Sequence, residues 1–160
     1  MGRPLTGGRA GSTGLRGLGA SPLGAAVGAG TSACRNASAW ARALAAAYWP
    51  GPLTMIFPKS PAVPYGTTGG LDTVAIRMPS DPVANRLIAL AGVPVAAPSA
   101  NTSGRPSPTT ADHVWQDMNG RIDMIIDGGP VGIGVESTIV DVSCRIPTVL
   151  RPGAITMEML

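Results

Sequence analysis

The chain has 160 residues, enough for one domain with its own hydrophobic core. Its two cysteines, Cys34 and Cys144, lie outside any cysteine or histidine cluster, which argues against a disulfide scaffold or a zinc site and favours a reducing compartment. No apolar run is long enough to span a membrane, and the amino-terminal residues lack the apolar stretch of a secretory signal. We therefore expect a cytoplasmic protein with no membrane partner.

Basic and acidic side chains are distributed unevenly along the chain. Residues 1–71 carry a charge of +6 and contain no carboxylate, whereas residues 72–160 contain nine carboxylates and carry a charge of −3. A basic segment can bind nucleic acid, but here the arginines are scattered among glycine, alanine and serine. We expect residues 1–37 to be a disordered segment of low complexity and residues 38–160 to form a partial domain.

Helical and strand patterns alternate from about residue 36 onwards, with proline and glycine between them. The predicted helices cover residues 38–48, 81–91 and 110–118, and their capping residues are Asn36 or Ser38, Asp81 and Thr109. The predicted strands cover residues 53–57, 73–77, 95–97, 122–126, 136–142 and 148–150, and residues 59–70 form a loop. This alternation predicts an α/β fold with a twisted mixed sheet and flanking helices.

The two longer helices are each expected to bury one apolar face. The residues at helical spacing are Trp40, Leu44 and Tyr48 (or Ala47) in the first helix, and Val83, Leu87 and Leu90 in the second.

The most informative segment follows the strand predicted at residues 95–97, which we expect to be buried. Residues 98–110 are almost all serine, threonine, asparagine, glycine, proline and arginine, and no apolar core could recruit them. Hydroxyl, carboxamide and guanidinium groups on a loop that leaves a strand end are suited to a polar ligand.

Arg77 and Arg151 each end a predicted strand just before a proline-containing break. Either one alone is more typical of a solvated strand end, but together with Arg105 they would suit recognition of a carboxylate or phosphate. Ser99 has no neighbouring base, and the single histidine, His113, has no partner at motif spacing. These residues predict a site that positions its ligands and stabilises charge, without a covalent nucleophile.

Six segments in order resemble the YrdC-like threonylcarbamoyl-adenylate synthases, over roughly residues 38–156. They are WPGPLT (49–54), VAIRMP (74–79), APSANTSGRP (97–106), DGGP (127–130), VESTIV (135–140) and LRPGA (150–154). The resemblance implies a YrdC-like twisted open sheet with a basic concave face. It also implies synthesis of threonylcarbamoyl-AMP and pyrophosphate from L-threonine, bicarbonate and ATP, with Mg²⁺ accompanying ATP. The product would serve the threonylcarbamoyladenosine modification of tRNA.

The same resemblance assigns roles to individual residues. It implies that Ser99 and Asn101 are catalytic, as half of the family's signature tetrad. The implied threonine-binding residues are Arg77, Ser99 and Ser137, and the implied nucleotide-binding residues are Thr73, Asn101, Thr109 and Arg151. No residue is assigned to a metal: Asp127 and Glu136 are the nearest candidates, and a structural role suits them better.

The amino terminus departs from the family pattern. The expected PTETVYG-like strand is absent, and MGRP (1–4) matches only the tail of a Lys-x-Arg box, with Arg3 as the catalytic box arginine. Gly7 and Ser12 stand where an asparagine and a histidine are expected. We interpret residues 1–37 as a truncated, frame-damaged terminus that lacks the first strands, and we expect this chain to be inactive.

Two alternative functions remain open. A carbamoyltransferase module of hydrogenase maturation would share the fold, but its accompanying zinc-finger cysteine clusters are absent from this sequence. A non-catalytic module that binds double-stranded RNA or tRNA would use the basic face, but residues 72–160 are net negative, and phosphate contacts dominate such affinity.

Overall fold

The computed structural model describes residues 25–27 and 37–160. The strands are β1 (Ala25–Val27), β2 (Leu53–Pro58), β3 (Thr73–Arg77), β4 (Val95–Ala97), β5 (Thr138–Asp141) and β6 (Thr148–Arg151). The helices are α1 (Ala39–Tyr48), α2 (Tyr65–Thr68), α3 (Pro82–Ala91) and α4 (Ala111–Met118), with a 3-10 turn at Met157–Met159. None of the helices in these ranges is long and apolar enough to cross a membrane.

The six strands form one sheet in the order β4-β1-β3-β2-β5-β6. The pairs β1–β3 and β2–β5 are parallel, and the other neighbours are antiparallel. This confirms the predicted mixed sheet of an α/β fold. The sequence analysis missed β1, because three small residues within a glycine- and alanine-rich segment give no strand signal of their own.

The main core lies on one face of the sheet, beneath α1. Its buried residues include Leu53, Met55 and Phe57 of β2, which alternate with Thr54 and Ile56 on the opposite face. Because β2 is central and both of its faces are covered, residues 53–57 are all buried.

Helix α1 has the predicted bounds, and of its predicted apolar face Leu44 is buried and Tyr48 packs partly against the core, but Trp40 does not. The Ser38 hydroxyl caps it by accepting a hydrogen bond from the Ala41 nitrogen at 3.2 Å. Ala41 and Leu44 face the core, whereas Trp40 is 60% exposed. The prediction that Trp40 is buried is therefore wrong, because the small Ala41 allows the helix to approach the sheet closely.

Helix α3 also starts as predicted, at an Asp81 cap that accepts from the Ala84 nitrogen at 2.8 Å. Its predicted apolar face is nevertheless exposed, and the buried residue of this helix is Ile88. The described residues leave this face largely uncovered, with Leu90 the most exposed of Val83, Leu87 and Leu90.

Three other local predictions need correction. Strand β4 is mostly exposed rather than buried because it is an edge strand. Thr110, not Thr109, caps α4, because its hydroxyl lies 3.4 Å from the His113 nitrogen. Residues 122–126 form no strand and pair with none of the strands of the described sheet. A short apolar run of this kind is ambiguous in sequence.

Candidate functional site

A row of paired residues crosses the sheet at the end of β3. Arg77 is level with Thr54, Thr54 with Ile139, and Ile139 with Arg151. Paired residues on neighbouring strands point to the same face, and this is the face opposite the α1 core. The register therefore brings two arginines, 74 positions apart in sequence, to one side of the sheet.

Ser137 links the two sides of this row. Its hydroxyl lies 2.8 Å from the hydroxyl of Thr54, and both residues are buried. Arg151 donates to the Ser137 backbone oxygen through Nε at 3.1 Å and through one Nη at 2.8 Å, and the same Nη lies 3.2 Å from the Ser137 hydroxyl. The other Nη of Arg151 pairs with the carboxylate of Glu136.

Arg77 carries an unused hydrogen-bond donor in this group. Its Nε is buried and has no hydrogen-bond partner among the described residues. Burial lowers the pKa of Arg77, and the positive charge of Arg151 lowers it further. An unpaired buried donor is costly unless it finds a partner, so Arg77 Nε is a candidate atom for binding a ligand.

Backbone contacts hold the segments of this site together. The Gly51 nitrogen donates to the Met78 oxygen at 2.8 Å, and the Thr138 nitrogen donates to the Pro52 oxygen at 3.0 Å. A Cβ on Gly153 would lie 2.3 Å from the Glu136 oxygen and 2.6 Å from the Thr138 nitrogen. Only glycine allows the chain after Arg151 to pass this close to the backbone that precedes β5.

The polar loop after β4 has its own internal structure. The side-chain Nδ2 of Asn101 donates to the backbone oxygens of Thr102 and Arg105 at 3.1 and 2.9 Å. Asp117 of α4 pairs with Arg105 and accepts from the Thr102 nitrogen at 3.2 Å. Burial raises the pKa of Asp117, but the hydrogen bonds from Arg105 and Thr102 outweigh it, so the net pKa is lowered. This carboxylate fixes the loop to α4.

The loop spans the width of the sheet. Through β1, Ala97 is level with Ala75, so the chain leaves β4 at the end of the sheet that carries Thr73. The Ser107 hydroxyl then donates to the carboxylate of Glu136 at 3.3 Å, just before β5. Four strand spacings separate β4 from β5, or about 19 Å.

The predicted site residues fall into two groups. Arg77, Ser137 and Arg151 lie together at one end of the sheet. The second group consists of Ser99, Asn101, Thr109 and Thr73, on or near the loop, with Ser99 exposed and Thr73 at the opposite end of β3 from Arg77.

Asn101 gives the second group its own unsatisfied atom. Its Oδ1 is buried and unpartnered among the described residues, as is Arg77 Nε in the first group. The Thr109 hydroxyl lies 3.3 Å from the His113 ring. Arg3 lies outside the described residues. The roles assigned to all of these residues stay predictions.

Sequence reasoning did not single out Thr54 or Asp117. Thr54 lies inside the WPGPLT motif. Its pairing with Arg77 on one side and Ile139 on the other is visible only in the sheet. The side chain of Asp117 is only 7% exposed, which the polar face of a short helix does not predict. The sequence did offer one signal for Asp117: Arg105, nearby in sequence, has the opposite charge and could pair with it.

The described residues do not form a metal site of their own. They contain no group of three or more histidine, cysteine, aspartate or glutamate side chains that could hold an ion. Glu136 is already engaged by Arg151 and Ser107, and Asp127 accepts from the Gly129 nitrogen at 2.8 Å. These carboxylates do not fit a protein-bound magnesium site.

Comparisons with known proteins agree with this geometry. The sequence profile of the Sua5/YciO/YrdC family, described as telomere recombination, matches residues 23–153. A threonylcarbamoyl-AMP synthase of Pyrococcus abyssi is 56% identical over 118 residues, and one of Bacillus subtilis is 55% identical over 121 residues. The chain spans 35% of the length of each of these relatives, and the aligned parts cover 74% and 75% of the chain.

Solved structures give the same result. A crystal structure of Pyrococcus abyssi Sua5 complexed with L-threonine superposes with a TM-score of 0.82 and 46% identity, over 87% of this chain and 42% of that one. A full-length HypF structure, at 14% identity and a TM-score of 0.68, shows the fold alone; it covers 84% of this chain and 22% of that one. The chain therefore belongs to the Sua5/YciO/YrdC family.

Proposed function

We propose that this domain carries out the threonylcarbamoyl-AMP synthase reaction, in which L-threonine, bicarbonate and ATP yield threonylcarbamoyl-AMP and pyrophosphate. The observation that carries the proposal is the buried, unpartnered Nε of Arg77 beside Arg151. The names of relatives at 50–56% identity support the synthase over a carbamoyltransferase or a non-catalytic RNA-binding module. The threonine complex of Pyrococcus abyssi Sua5 supports threonine as a ligand.

In this proposal each substrate contacts residues of both groups of the site. Arg77 pairs with the carboxylate of threonine, and Ser99 and Ser137 contact the same substrate. The nucleotide is contacted by Thr73, Asn101, Thr109 and Arg151. The separation of Thr73 and the loop from Arg77 along the sheet suits an extended pair of substrates.

The chemistry requires orientation and charge neutralisation. The threonine amine first combines with bicarbonate, forming a C–N bond and releasing water, to give the N-carboxylated amino acid. An oxygen of this carbamate then attacks the α-phosphorus of ATP, a new P–O bond forms, and the bond to pyrophosphate breaks. Arg151 neutralises the charge that develops on the phosphate oxygens. Magnesium accompanies the triphosphate as part of the substrate in this proposal; the described residues contain no cluster of three or more ligating side chains that would hold it independently. The product would serve tRNA modification in the cytoplasm.

The test is synthesis from the three substrates, followed by mass spectrometry of threonylcarbamoyl-AMP. In the chimera with an intact amino terminus described below, Arg77→Ala should raise the KM for threonine about 10- to 100-fold, because one charge-assisted contact is lost. The matched control is Arg86→Ala, an exposed arginine of α3, which should leave the KM unchanged. Unchanged threonine dependence in Arg77→Ala would contradict the assignment.

A chimera separates the site from the amino terminus. If residues 1–37 are replaced by the corresponding part of the Pyrococcus abyssi synthase, the expected inactivity of residues 1–160 should be relieved. A chimera that folds, binds neither threonine nor ATP and makes no product would refute the proposed function.

A further inference from the structure

The guanidinium of Arg151 makes more contacts than its orientation requires. Two hydrogen bonds reach the backbone oxygen of Ser137, and a third reaches the hydroxyl of the same residue. These three bonds already fix the planar group. The additional ion pair with Glu136 therefore contributes charge rather than geometry.

The carboxylate of Glu136 is placed where it can move away. Its side chain is 53% exposed, and besides Arg151 it accepts one hydrogen bond at 3.3 Å, from Ser107. An ion pair this exposed contributes little to stability, so an incoming oxyanion can replace it at low cost. Because Arg77 lies close enough to Arg151 for their charges to interact, the pair of cations retains one uncompensated charge when Glu136 is in place.

We propose that Glu136 is an internal counter-ion, which occupies the oxyanion position on Arg151 and is displaced by the anionic group of the ligand. The inference rests on the proposed function and deepens it, because it names a residue that sets ligand affinity. In the free protein the carboxylate neutralises Arg151. In the complex a phosphate or carboxylate of the ligand takes its place.

Displacement of Glu136 has a second consequence. The same carboxylate accepts the hydrogen bond from Ser107, so its departure also releases the end of the polar loop. Binding of an oxyanion at Arg151 would therefore loosen the connection between the loop and the start of β5. A purely structural role predicts the opposite: that the Glu136 contacts are kept when ligand binds.

Two variants separate the charge from the contact. Glu136→Gln removes the charge but keeps the side-chain size and one acceptor oxygen, whereas Glu136→Ala removes both. The control is Asp123→Asn, an exposed carboxylate whose loss changes the net charge equally. The full 160-residue chain and its variants are titrated calorimetrically with inorganic pyrophosphate, ATP and L-threonine, at low and high salt.

Both Glu136 variants should bind pyrophosphate about two- to fivefold more tightly than the unmodified chain or Asp123→Asn, and salt should reduce the difference. Tighter pyrophosphate binding without any ATP binding would support the counter-ion and count against the proposed function. Tightening confined to threonine would keep the counter-ion and assign the position to a carboxylate.

Three results would overturn the inference. The first is unchanged or weaker binding of all three ligands by Glu136→Gln. The second is an affinity lost in Glu136→Ala but retained in Glu136→Gln, which would show a positioning contact. The third is the absence of measurable binding of every probe by every variant, since Arg151 would then not be an oxyanion site.

Discussion

Helices α1 and α3 have the same length and the same kind of cap but differ in what they bury. Each has ten residues and begins at a side-chain oxygen that accepts from a backbone nitrogen three residues on. Leu44 of α1 is 8% exposed in the main core, whereas Leu87 of α3 is 48% exposed. Local sequence thus determines that a helix forms, and the tertiary structure determines which of its faces is covered.

The same contrast divides the molecule. The packed half consists of α1, β2, β3, β5 and β6, and it contains the two hydrophobic clusters. The open half consists of α3, β4 and residues 122–135, where apolar side chains are repeatedly exposed. Arg77 and Arg151 lie in the packed half, and the polar loop begins in the open half. The site therefore joins a well-packed part of the molecule to a part with more exposed apolar side chains.

The largest expected effect comes from a side chain at Gly153, where two backbone segments of the packed half pass close together. Gly153→Ala should lower the free energy of unfolding by about 3 kcal/mol or more, because its Cβ would overlap backbone atoms at 2.3 and 2.6 Å. Gly134→Ala is the control, since a Cβ there meets nothing within 4 Å. Urea unfolding measures both variants, and equal effects would show that the Gly153 backbone can shift freely.

A pair of leucine variants tests the comparison directly. Leu44→Ala should cost about 2–3 kcal/mol, because it leaves a cavity in the core. Leu87→Ala should cost less than about 1 kcal/mol, because its side chain is already half in solvent. A large loss in Leu87→Ala, measured by urea unfolding, would show that the α3 face is covered in solution.

A smaller effect is expected at the link between β5 and the chain after β6. The buried Thr138 hydroxyl donates to the Ile155 oxygen at 2.7 Å and accepts from the Ile155 nitrogen at 3.0 Å. Thr138→Val keeps the shape but leaves two backbone groups unpaired, and should cost about 2 kcal/mol. Thr148→Val, at an exposed strand position, serves as the control in thermal unfolding. An equal loss of stability in Thr148→Val would show that the change in β propensity, and not the lost hydrogen bonds, is the cause.

The smallest effect is local and concerns the polar loop. The ionised Asp117 accepts the Thr102 amide, and its net pKa lies below the usual 3.8. A depressed pKa means that this contribution to loop stability is present above pH 3.8 and is lost as the pH falls through the folded-state pKa. Asp117→Asn should therefore accelerate hydrogen exchange of the Thr102 amide at neutral pH.

Measurements at low pH can contradict this role of Asp117. The unmodified chain should lose Thr102 protection only as the pH falls below 3.8 and through the lowered folded-state pKa of Asp117, whereas Asp117→Asn should show no such transition. Protection that is independent of both pH and the substitution would show that the ion pair with Arg105 does not hold the loop.

Much of the fold was predictable because its signals are local. Asp81 followed by Pro82 predicted the start of α3, and residues 73–77 became β3 with the predicted bounds. The apolar run at residues 122–126 failed for the opposite reason, since a strand needs a partner and its own residues do not specify one. The prediction that Trp40 is buried failed because a helical repeat does not distinguish a large exposed residue from a small buried neighbour.

The candidate site was predictable in its residue types and not in its grouping. Polar residues after β4 and arginines at two strand ends were visible in the sequence by itself, as was the α/β class. That Arg151 contacts Ser137 and pairs with Glu136, and that Thr54 reaches Ser137 across 83 positions, was decided by the tertiary structure. The physical reason is range: caps and turns act within a few residues, whereas strand register sets which distant side chains share a face.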